Sequence, residues 1–387
     1  MLPNFFALFA LLYAAFGVQS PFLPALLQER GLFAGQIGVV LAASTAIRVI
    51  AGPAIGHAAD RTRRHALVLC ACAVVAAIVS AGYLAMRHFA ALFVVSVLYA
   101  AMLAPLVPLS DALATTAAYL SERGGGRRFA YGWLRACGSA AFVAGTTASG
   151  WFTGITELAA IIWVGGLFLA MAGAVASRLP ALTELRSRAP RPRGLRDWGE
   201  LLRLRIFRRM LLVAALVEGS HALHDTFSVI RWRAAGIDFH IVGLLWSESV
   251  LSEVLVFLVL GPALLRRFGP AGACAISAGA GAVRWTVAAF TTSPLLLAVI
   301  QPLHGLTFAL LHLACMRLIV LTVPRQLAGT AQAVYGTLCI GAATALLTLA
   351  SGWLYGSIGG TAFLAMAALC LLAMPACATL RPRDTAA

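Results

Sequence analysis

The sequence contains no lysine, and it carries little charge of either sign. Only 11% of its 387 residues are charged, whereas a soluble domain carries about 25%. Acidic residues are scarcer than basic ones, with 14 against 29. All 29 basic residues are arginine. So few charges cannot cover the surface of a water-soluble protein of this length. Lipid must therefore cover much of the surface.

Cysteine is also sparse, and no cysteines have the spacing of a zinc site. All eight fall in apolar segments, where they are typical of packing residues. The sequence likewise lacks a nucleophile triad, a phosphate-binding loop and a polar stretch long enough for a catalytic domain. We therefore expect no enzymatic activity, no metal and no cofactor.

Long apolar runs are abundant, because 61% of the residues are hydrophobic. A membrane-spanning helix needs roughly 20 mostly apolar residues, and runs of this length recur along the chain. Residues 1–4 contain no basic residue, so we expect a retained first helix rather than a cleaved signal peptide. We predict an all-α membrane protein with twelve transmembrane helices, at residues 5–27, 34–58, 66–86, 90–118, 131–152, 158–178, 208–232, 240–262, 270–289, 295–321, 329–355 and 361–379.

The arginines are distributed unevenly between the two sides of these predicted helices. If both termini are cytoplasmic, 21 of the 29 arginines lie in cytoplasmic segments and four in outer loops or helix mouths. Basic residues accumulate in cytoplasmic loops, so this orientation is the one we expect, in a bacterial inner membrane. The same distribution explains the net charge of +15 without a nucleic acid partner.

The longest polar stretch, residues 179–207, is rich in arginine and proline. Six predicted helices precede it and six follow. We predict an N-terminal six-helix bundle at residues 1–178, a cytoplasmic linker at 179–207 and a C-terminal bundle at 208–387. A short amphipathic helix is expected around residues 198–207, on the inner membrane surface. We expect the protein to function as a monomer.

The segment from Gly56 to Arg64 resembles the loop signature between helices 2 and 3 of the major facilitator superfamily. The resemblance implies that superfamily's fold of two six-helix halves. Gly56 would permit close approach of helices, and Asp60 would cap a helix or pair with an arginine. Arg61 and Arg64 would anchor the turn at the inner leaflet.

Ionisable residues inside membrane spans are costly and mark functional or paired positions. The first half contains few of them, and there Asp111 is expected to pair with Arg135 or Arg48. The second half contains many more, so we expect proton chemistry there. Its ionisable residues are Glu218, His221, His224, Asp225, Glu248, Glu253, Arg284, His304, His312 and Arg317.

Helix geometry places several of these groups near the middle of the membrane. At 1.5 Å per residue, Glu253 lies roughly 20 Å from the outer end of its helix, and Glu218 and His304 lie at a similar depth. Away from water a carboxyl favours its neutral form, and histidine titrates near neutral pH. We predict that Glu253 binds the transported proton, with Glu218 as a further candidate and His304 and His221 as relays.

Other polar residues are candidates for binding a substrate. Gln301 and His304 lie on one stripe of helix 10. Arg284 is the candidate counter-charge; it lies level with Glu248, with which it could form an ion pair. Arg48 and Asp111 are the candidates from the first half.

Nearly the whole chain resembles the 3-phenylpropionate permease family, which is distantly related to lactose permease. The resemblance implies proton-coupled uptake of an aromatic or similar small carboxylate. It supports Arg48, Asp111, Arg135, His221, Glu253, Arg284, His304 and His312 as family positions, whereas Glu218, His224, Asp225 and Glu248 depart from the family pattern. The stretches that carry it include Pro21–Pro24, Pro105–Leu113, Gly219–Ala222, Ser252–Val254, Val283–Trp285, Gln301–His304 and Gln332–Tyr335.

The leading hypothesis is a proton symporter that imports a small organic acid. A sugar or nucleoside symporter is the alternative, because His221, Gln301 and His304 could bind hydroxyl groups. Drug efflux ranks lower, since the sequence shows no wide aromatic cage. A membrane enzyme or a receptor ranks last, because neither catalytic motifs nor a signalling domain are present.

Overall fold

The computed structural model describes residues 2–123, 131–179 and 195–380. Across these ranges the chain is helical and contains no β-strand. Within these described ranges, seven helical stretches are long and apolar enough to cross a membrane. Two of them, Phe239–Phe290 and Arg325–Ala378, contain 52 and 54 residues, which is about 80 Å of helix and enough for two crossings each. The predicted helical class is confirmed, and the number of twelve crossings stays a prediction.

The chain divides into two compact units. The first comprises residues 1–188 and 236–247, and the second comprises residues 189–235 and 248–387. The expected division at a linker of residues 179–207 stays a prediction. Residues 180–194 of that linker lie outside the described part of the chain.

The described helices of the first unit follow one another with short connections. Most are apolar along their whole length, as expected of helices in contact with lipid. They are α1 (Leu2–Gln19), α2 (Leu23–Glu29), α3 (Ala34–Thr62), α4 (His65–Ser80), α5 (Gly82–Ala85), α6 (Phe89–Leu103), α7 (Leu106–Arg123), α8 (Tyr131–Ile155) and α9 (Ala160–Ala176).

In the first unit, α1 packs very closely against α8 because glycine occupies both sides of the contact. A Cβ at Gly17 would lie 2.2 Å from the carbonyl oxygen of Phe142, and one at Gly145 would lie 2.7 Å from that of Ala14. The hydroxyl of Thr146 donates a hydrogen bond of 2.9 Å to the carbonyl of Gly17. Small residues and bonds of this kind are how helices associate in membranes, where lipid removes the hydrophobic drive.

The helices of the second unit are interrupted more often. Three of the interruptions are π-helical segments, Val256–Leu260, Leu306–Leu310 and Gly336–Ala343. The helices are α10 (Leu195–Arg203), α11 (Arg205–Gly219), α12 (His221–Ala234), α13 (Phe239–Leu255, which begins in the first unit), α14 (Gly261–Phe290), α15 (Pro294–Ile300), α16 (Leu303–Gly305), α17 (Leu311–Thr322), α18 (Ala328–Tyr335), α19 (Thr344–Ile358) and α20 (Phe363–Ala378).

The helix expected around residues 198–207 is present but begins and ends earlier. It is α10, and it stops at Arg203 because Leu204 adopts an extended conformation that starts α11. Leu201 and Phe207 are fully buried in the apolar core of the second unit, and Trp198 packs against that core. The apolar face of α10 is therefore held by protein.

In the second unit, two glycines with positive φ form turns within the long helical stretches. Gly269 has φ 67° inside α14, and Pro270 follows it. Gly359 has φ 59° at the end of α19. Positive φ favours glycine, and proline cannot continue a preceding helix. The turn at Gly269 agrees with the boundary predicted between residues 262 and 270.

The contact between α1 and α8 can be tested with a pair of glycine substitutions on α8. We expect Gly145→Ala to lower the free energy of unfolding by about 1–3 kcal/mol, because the new methyl group overlaps backbone atoms of α1. Gly154→Ala is the control, because a Cβ there meets no atom within 4 Å. Thermal unfolding in detergent measures both, and equal melting temperatures would contradict the proposed contact.

Candidate functional site

Polar side chains come together in the interior of the second unit. Arg284 and Gln301 are almost completely inaccessible, while the side chains of His304 and Glu253 are 13% and 21% exposed. Five members were predicted site residues, and His224 joins them. We call this group the polar cluster: His221, His224, Glu253, Arg284, Gln301 and His304.

Breaks in the helices place these side chains. The span predicted at residues 208–232 is broken at Ser220, where α11 ends and α12 begins with His221. The hydroxyl of Ser220 accepts a bond of 2.8 Å from the indole of Trp285. Pro302 separates α15 from α16, so that Gln301 and His304 flank the break. The π-helical segment that follows His304 is of a type common at functional sites.

A close backbone contact brings Glu253 to His304. A Cβ at Gly305 would lie 2.5 Å from the carbonyl oxygen of Ser252. The amide of Gly305 also donates a bond of 3.1 Å to the hydroxyl of Ser252. Ser252 precedes Glu253 in the sequence, and Gly305 follows His304. Their contact therefore holds the side chains of Glu253 and His304 close together.

Arg284 is the charged centre of the polar cluster. Its Nη1 donates to Nδ1 of His304 at 2.8 Å, and its Nη2 donates to the amide oxygen of Gln301 at 2.8 Å. The guanidinium carbon lies 4.5 Å from the centre of the Trp285 ring, a cation–π contact. Its Nε is buried and has no hydrogen-bond partner among the described residues. The cation is thus held by neutral groups on every side that it contacts directly.

His304 connects Arg284 to a carboxyl. Its Nε2 lies 2.7 Å from Oε1 of Glu253. An arginine can only donate, so Nδ1 of His304 must accept and the ring proton must lie on Nε2. His304 therefore donates to Glu253. The three residues form one directed chain from guanidinium to imidazole to carboxyl.

The other two histidines lie beside this chain. The ring of His221 lies 4.8 Å from that of His304, and its Nε2 is 2.9 Å from the hydroxyl of Thr307. Nε2 of His224 lies 3.4 Å from Nη2 of Arg284, and its Nδ1 is 3.1 Å from the half-exposed Asp225. Across the described residues no group of three or more His, Cys, Asp or Glu side chains is arranged for a metal ion.

Two predicted neighbours of the cluster lie elsewhere. Glu248 forms no ion pair in the described structure, so the possible pair with Arg284 is not formed. Five residues turn an α-helix by about 500°, which leaves Glu248 and Glu253 about 140° apart around α13. Glu218 is buried, and it accepts a bond of 2.5 Å from the hydroxyl of Tyr335. The helix break at Ser220 separates Glu218, on α11, from His221, on α12.

The first unit contains the other predicted substrate residues. Asp111 lies 3.6 Å from Arg135, so of the two expected pairings the structure forms this one. Arg135 also donates to the hydroxyl of Tyr13. The other oxygen of Asp111 is buried without a hydrogen-bond partner in the described residues. Arg48 is exposed and makes no hydrogen bond or ion pair within them.

The loop signature differs from expectation in two ways. A Cβ at Gly56 would meet no atom within 4 Å, so Gly56 does not mark a close approach of helices. Asp60 pairs with His65 at 2.7 Å rather than with an arginine. The left-handed Arg63 ends α3 two residues before His65 starts α4, and this turn brings the histidine back to Asp60. Arg61 and Arg64 form no ion pair in the described structure.

Sequence reasoning underrated three residues. His224 departs from the family pattern, yet it contacts Arg284 and Gln301. Tyr335 lies 117 positions from the carboxyl that it contacts, and His65, which pairs with Asp60, lies beside a predicted turn. An isolated polar side chain gives no signal of its partner when the two lie on different helices.

Comparison with known proteins shows the family to which the chain belongs. The model of the MFS_1 like family matches residues 4–365. The chain belongs to the major facilitator superfamily. A "Probable 3-phenylpropionic acid transporter" of Escherichia coli K12 is 33% identical over 365 residues, which cover 94% of this chain and 93% of the relative. A "Maltose permease" of Geobacillus stearothermophilus is 29% identical over 347 residues, 89% and 85% of the two chains.

Solved structures of this major facilitator superfamily fold agree. The nucleoside transporter NupG matches with a TM-score of 0.85 at 17% identity, covering 98% of each chain. A D-xylose–proton symporter matches with a TM-score of 0.68 at 15% identity, covering 98% of this chain and 97% of that one. These likenesses concern the fold. The protein is a multi-pass, all-α membrane protein of a transporter superfamily, as predicted, and not an enzyme.

The directed chain in the polar cluster can be tested without substrate. We expect Arg284→Met and Glu253→Gln each to destabilise the protein, because each leaves one buried polar group without its counterpart. The double variant should lose less free energy of unfolding than the sum of the two single losses, by about 1–3 kcal/mol, because the two groups compensate each other through His304. Thermal unfolding of the four purified proteins measures this double-mutant cycle. Additive losses would mean that the two residues do not interact.

Proposed function

We propose that this protein is a proton symporter that imports a small organic acid, with an aromatic carboxylate as the favoured class. The observation that carries the proposal is the chain from Arg284 through His304 to Glu253. A buried cation and a carboxyl share one histidine there, and proton binding to the carboxyl changes the charge that the cation experiences.

Charge balance links the proton to an anionic substrate. When Glu253 is ionised, its negative charge offsets that of Arg284 across His304. A proton on Glu253 removes this compensation. Only the half-exposed Asp225, linked through His224, then offsets the buried cation among the described contacts, and a poorly balanced buried cation is costly. A carboxylate that reaches Arg284 restores the balance. Proton and anion then increase each other's affinity, because such coupling is reciprocal.

The guanidinium has the donors that such an anion needs. Carboxylates bind arginine through two parallel hydrogen bonds. In this structure Arg284 is fully buried, and Nη1 and Nη2 are engaged by His304 and Gln301. An entering carboxylate would replace at least one of these neutral partners. The unpartnered Nε provides a donor that needs no exchange.

Aromatic rings around the cluster support an aromatic or apolar substrate body. Phe308 stacks parallel to His304 with ring centres 5.9 Å apart, and Trp285 lies 5.4 Å from His221. Aromatic groups pack well against such surfaces. The Escherichia coli relative is named for a substrate of the same class.

The remaining predicted residues receive subsidiary roles in this proposal. His221 would relay a proton or contact substrate, and Arg48 and Asp111 would contribute substrate contacts from the first half. Gly56, Asp60, Arg61, Arg64 and Arg135 would act in gating or in structure. Glu218 is treated separately below.

The membrane arrangement is part of the proposal. Two six-helix halves, residues 1–178 and 208–387, would alternate access to the site, joined by a cytoplasmic linker at 179–207. The arginine distribution supports a bacterial inner membrane location with cytoplasmic termini, and a single chain would suffice for transport.

A sugar or nucleoside symporter is the second candidate. The amide of Gln301 and the three histidines could bind hydroxyl groups, and a maltose permease is among the relatives. A neutral substrate would not compensate Arg284, however. The charge argument therefore favours an acid.

Replacing the proton-binding carboxyl tests the coupling. We expect Glu253→Gln in proteoliposomes to lose accumulation driven by a pH gradient and to keep exchange of substrate across the membrane. The amide cannot ionise, so Arg284 would bind the anion in either orientation without a proton. Glu248→Gln is the matched control, because it removes a carboxyl of the same helix outside the cluster. Wild-type accumulation by Glu253→Gln would refute the proton role.

Ligand discrimination tests the substrate class. We expect 3-phenylpropionate to stabilise the purified protein against heat, and its uncharged amide, maltose and nucleosides to bind about 10–100-fold more weakly. A charged hydrogen-bonded pair contributes about 1.5–3 kcal/mol. Arg284→Gln should remove the preference for acid over amide. Stronger stabilisation by a sugar or nucleoside would favour the second candidate.

A further inference from the structure

The second unit contains another buried carboxyl that has no described contact with the polar cluster. Glu218 on α11 is 5% exposed, and Tyr335 at the end of α18 is 2% exposed. The Tyr335 hydroxyl donates to Oε1 of Glu218 at 2.5 Å. Nδ1 of His312, on α17, lies 3.3 Å from the same hydroxyl. Three side chains from three helices thus form a continuous line.

The donors in this line point in one direction. A tyrosine hydroxyl has a single proton, and here it is directed at Glu218. Its oxygen must therefore accept from Nδ1–H of His312. Glu218 ends the line as an acceptor. His312 is only partly buried whereas Glu218 is fully buried, so the line leads from an accessible group to an enclosed one.

The surroundings of Glu218 contain no counter-charge. The titratable groups that face it from neighbouring elements are Tyr335, Cys315 of α17 and Cys339 of the π-helical segment Gly336–Ala343. No arginine or histidine forms an ion pair with it in the described structure, unlike Glu253. Burying an isolated charge costs free energy, and a carboxyl avoids this cost by binding a proton and becoming neutral.

The backbone beside Tyr335 is also irregular. The eight-residue π-helical segment begins at Gly336, directly after the tyrosine. π-Helical turns are less regular than α-helix and occur often at functional sites. The same arrangement follows Glu253 and His304, where π-helical segments begin within three residues. Tyr335 thus shares the local setting of the residues assigned to the first proton.

We propose that Glu218 is a second proton-binding site, reached from His312 through Tyr335, so that two protons accompany each anion. The inference rests on the proposed symport. Nε2 of His312 takes up a proton, and the resulting imidazolium passes its Nδ1 proton to the tyrosine oxygen as the tyrosine passes its own proton to ionised Glu218. His312 ends neutral with its proton on Nε2, and no charge remains on Tyr335. One proton with a monovalent anion moves no net charge, whereas two protons move one positive charge.

The proton count is measurable as a reversal gradient. Proteoliposomes are clamped at zero membrane potential with a difference of one pH unit, and the substrate gradient at which protein-dependent flux vanishes is recorded. Protein-free vesicles correct for passive leakage of the acid. One proton per anion balances about a tenfold gradient, and two balance about a hundredfold gradient. We expect the larger value for wild type and the smaller for Glu218→Gln, with Glu248→Gln unchanged.

The outcomes separate the two proposals. A wild-type reversal gradient of about tenfold that Glu218→Gln leaves unchanged would overturn the second site and keep the symport. No protein-dependent reversal at any pH difference would overturn the symport itself. A hundredfold gradient that survives Glu218→Gln would place the second proton elsewhere and also overturn the inference.

A spectroscopic test covers the case in which Glu218→Gln fails to fold. Infrared difference spectra of purified Glu253→Gln protein between high and low pH should contain the carbonyl band of a protonated, buried carboxyl. Tyr335→Phe, added to this background, should shift that band because it removes the hydrogen bond to Glu218. Tyr355→Phe is the control, since Tyr355 stacks on Phe227 and lies outside the line. An absent or unshifted band would contradict protonation at Glu218.

Discussion

A positive charge without water is the constraint on which the second unit depends. Arg284 is entirely buried, and a guanidinium in such a place must be surrounded by acceptors and balanced by an anion. Two carboxyls are linked to it, each through an imidazole: Glu253 through His304, and the half-exposed Asp225 through His224. The helix breaks at Ser220 and Pro302 serve this surrounding of Arg284. The first positions Ser220 against the neighbouring Trp285, and the second positions Gln301 and His304 against Arg284.

Glu253 and Glu218 of the second unit illustrate different solutions to burial. Glu253 is linked to a cation, so its charge is matched whenever it is ionised. Glu218 accepts a single phenolic hydrogen bond and has no cation beside it. Arginine, histidine and tyrosine thus give these two acids of one unit separate electrostatic settings, which is why the proposals above assign them separate protons.

Much of this arrangement could be predicted from the sequence. Hydropathy and the arginine distribution indicate a membrane protein with a helical fold, and depth along the helices places Glu253 and His304 at comparable heights. The same depth argument places Arg284 level with Glu248 and leaves an ion pair between them open. Height does not determine direction around a helix axis, and the carboxyl that is linked to Arg284 is Glu253, about 140° around α13 from Glu248. An apolar run of about 20 residues also gives no sign of a helix break within it, such as the break at Ser220. Contacts between distant helices, such as Tyr335 with Glu218, leave no local pattern at all.

The approach of Gly305 to Ser252 has an evolutionary consequence. The contact joins the main chain at Gly305 to the carbonyl and hydroxyl of Ser252, so the distance between Glu253 and His304 does not depend on the side chains farther from it. Substitutions at those other positions can alter the proposed cargo while the proposed coupling pair stays intact. At Gly305 a side chain would overlap the carbonyl of Ser252, so a substitution there is expected to separate the pair. A permease built on this contact can thus change its substrate and keep the proposed coupling to protons.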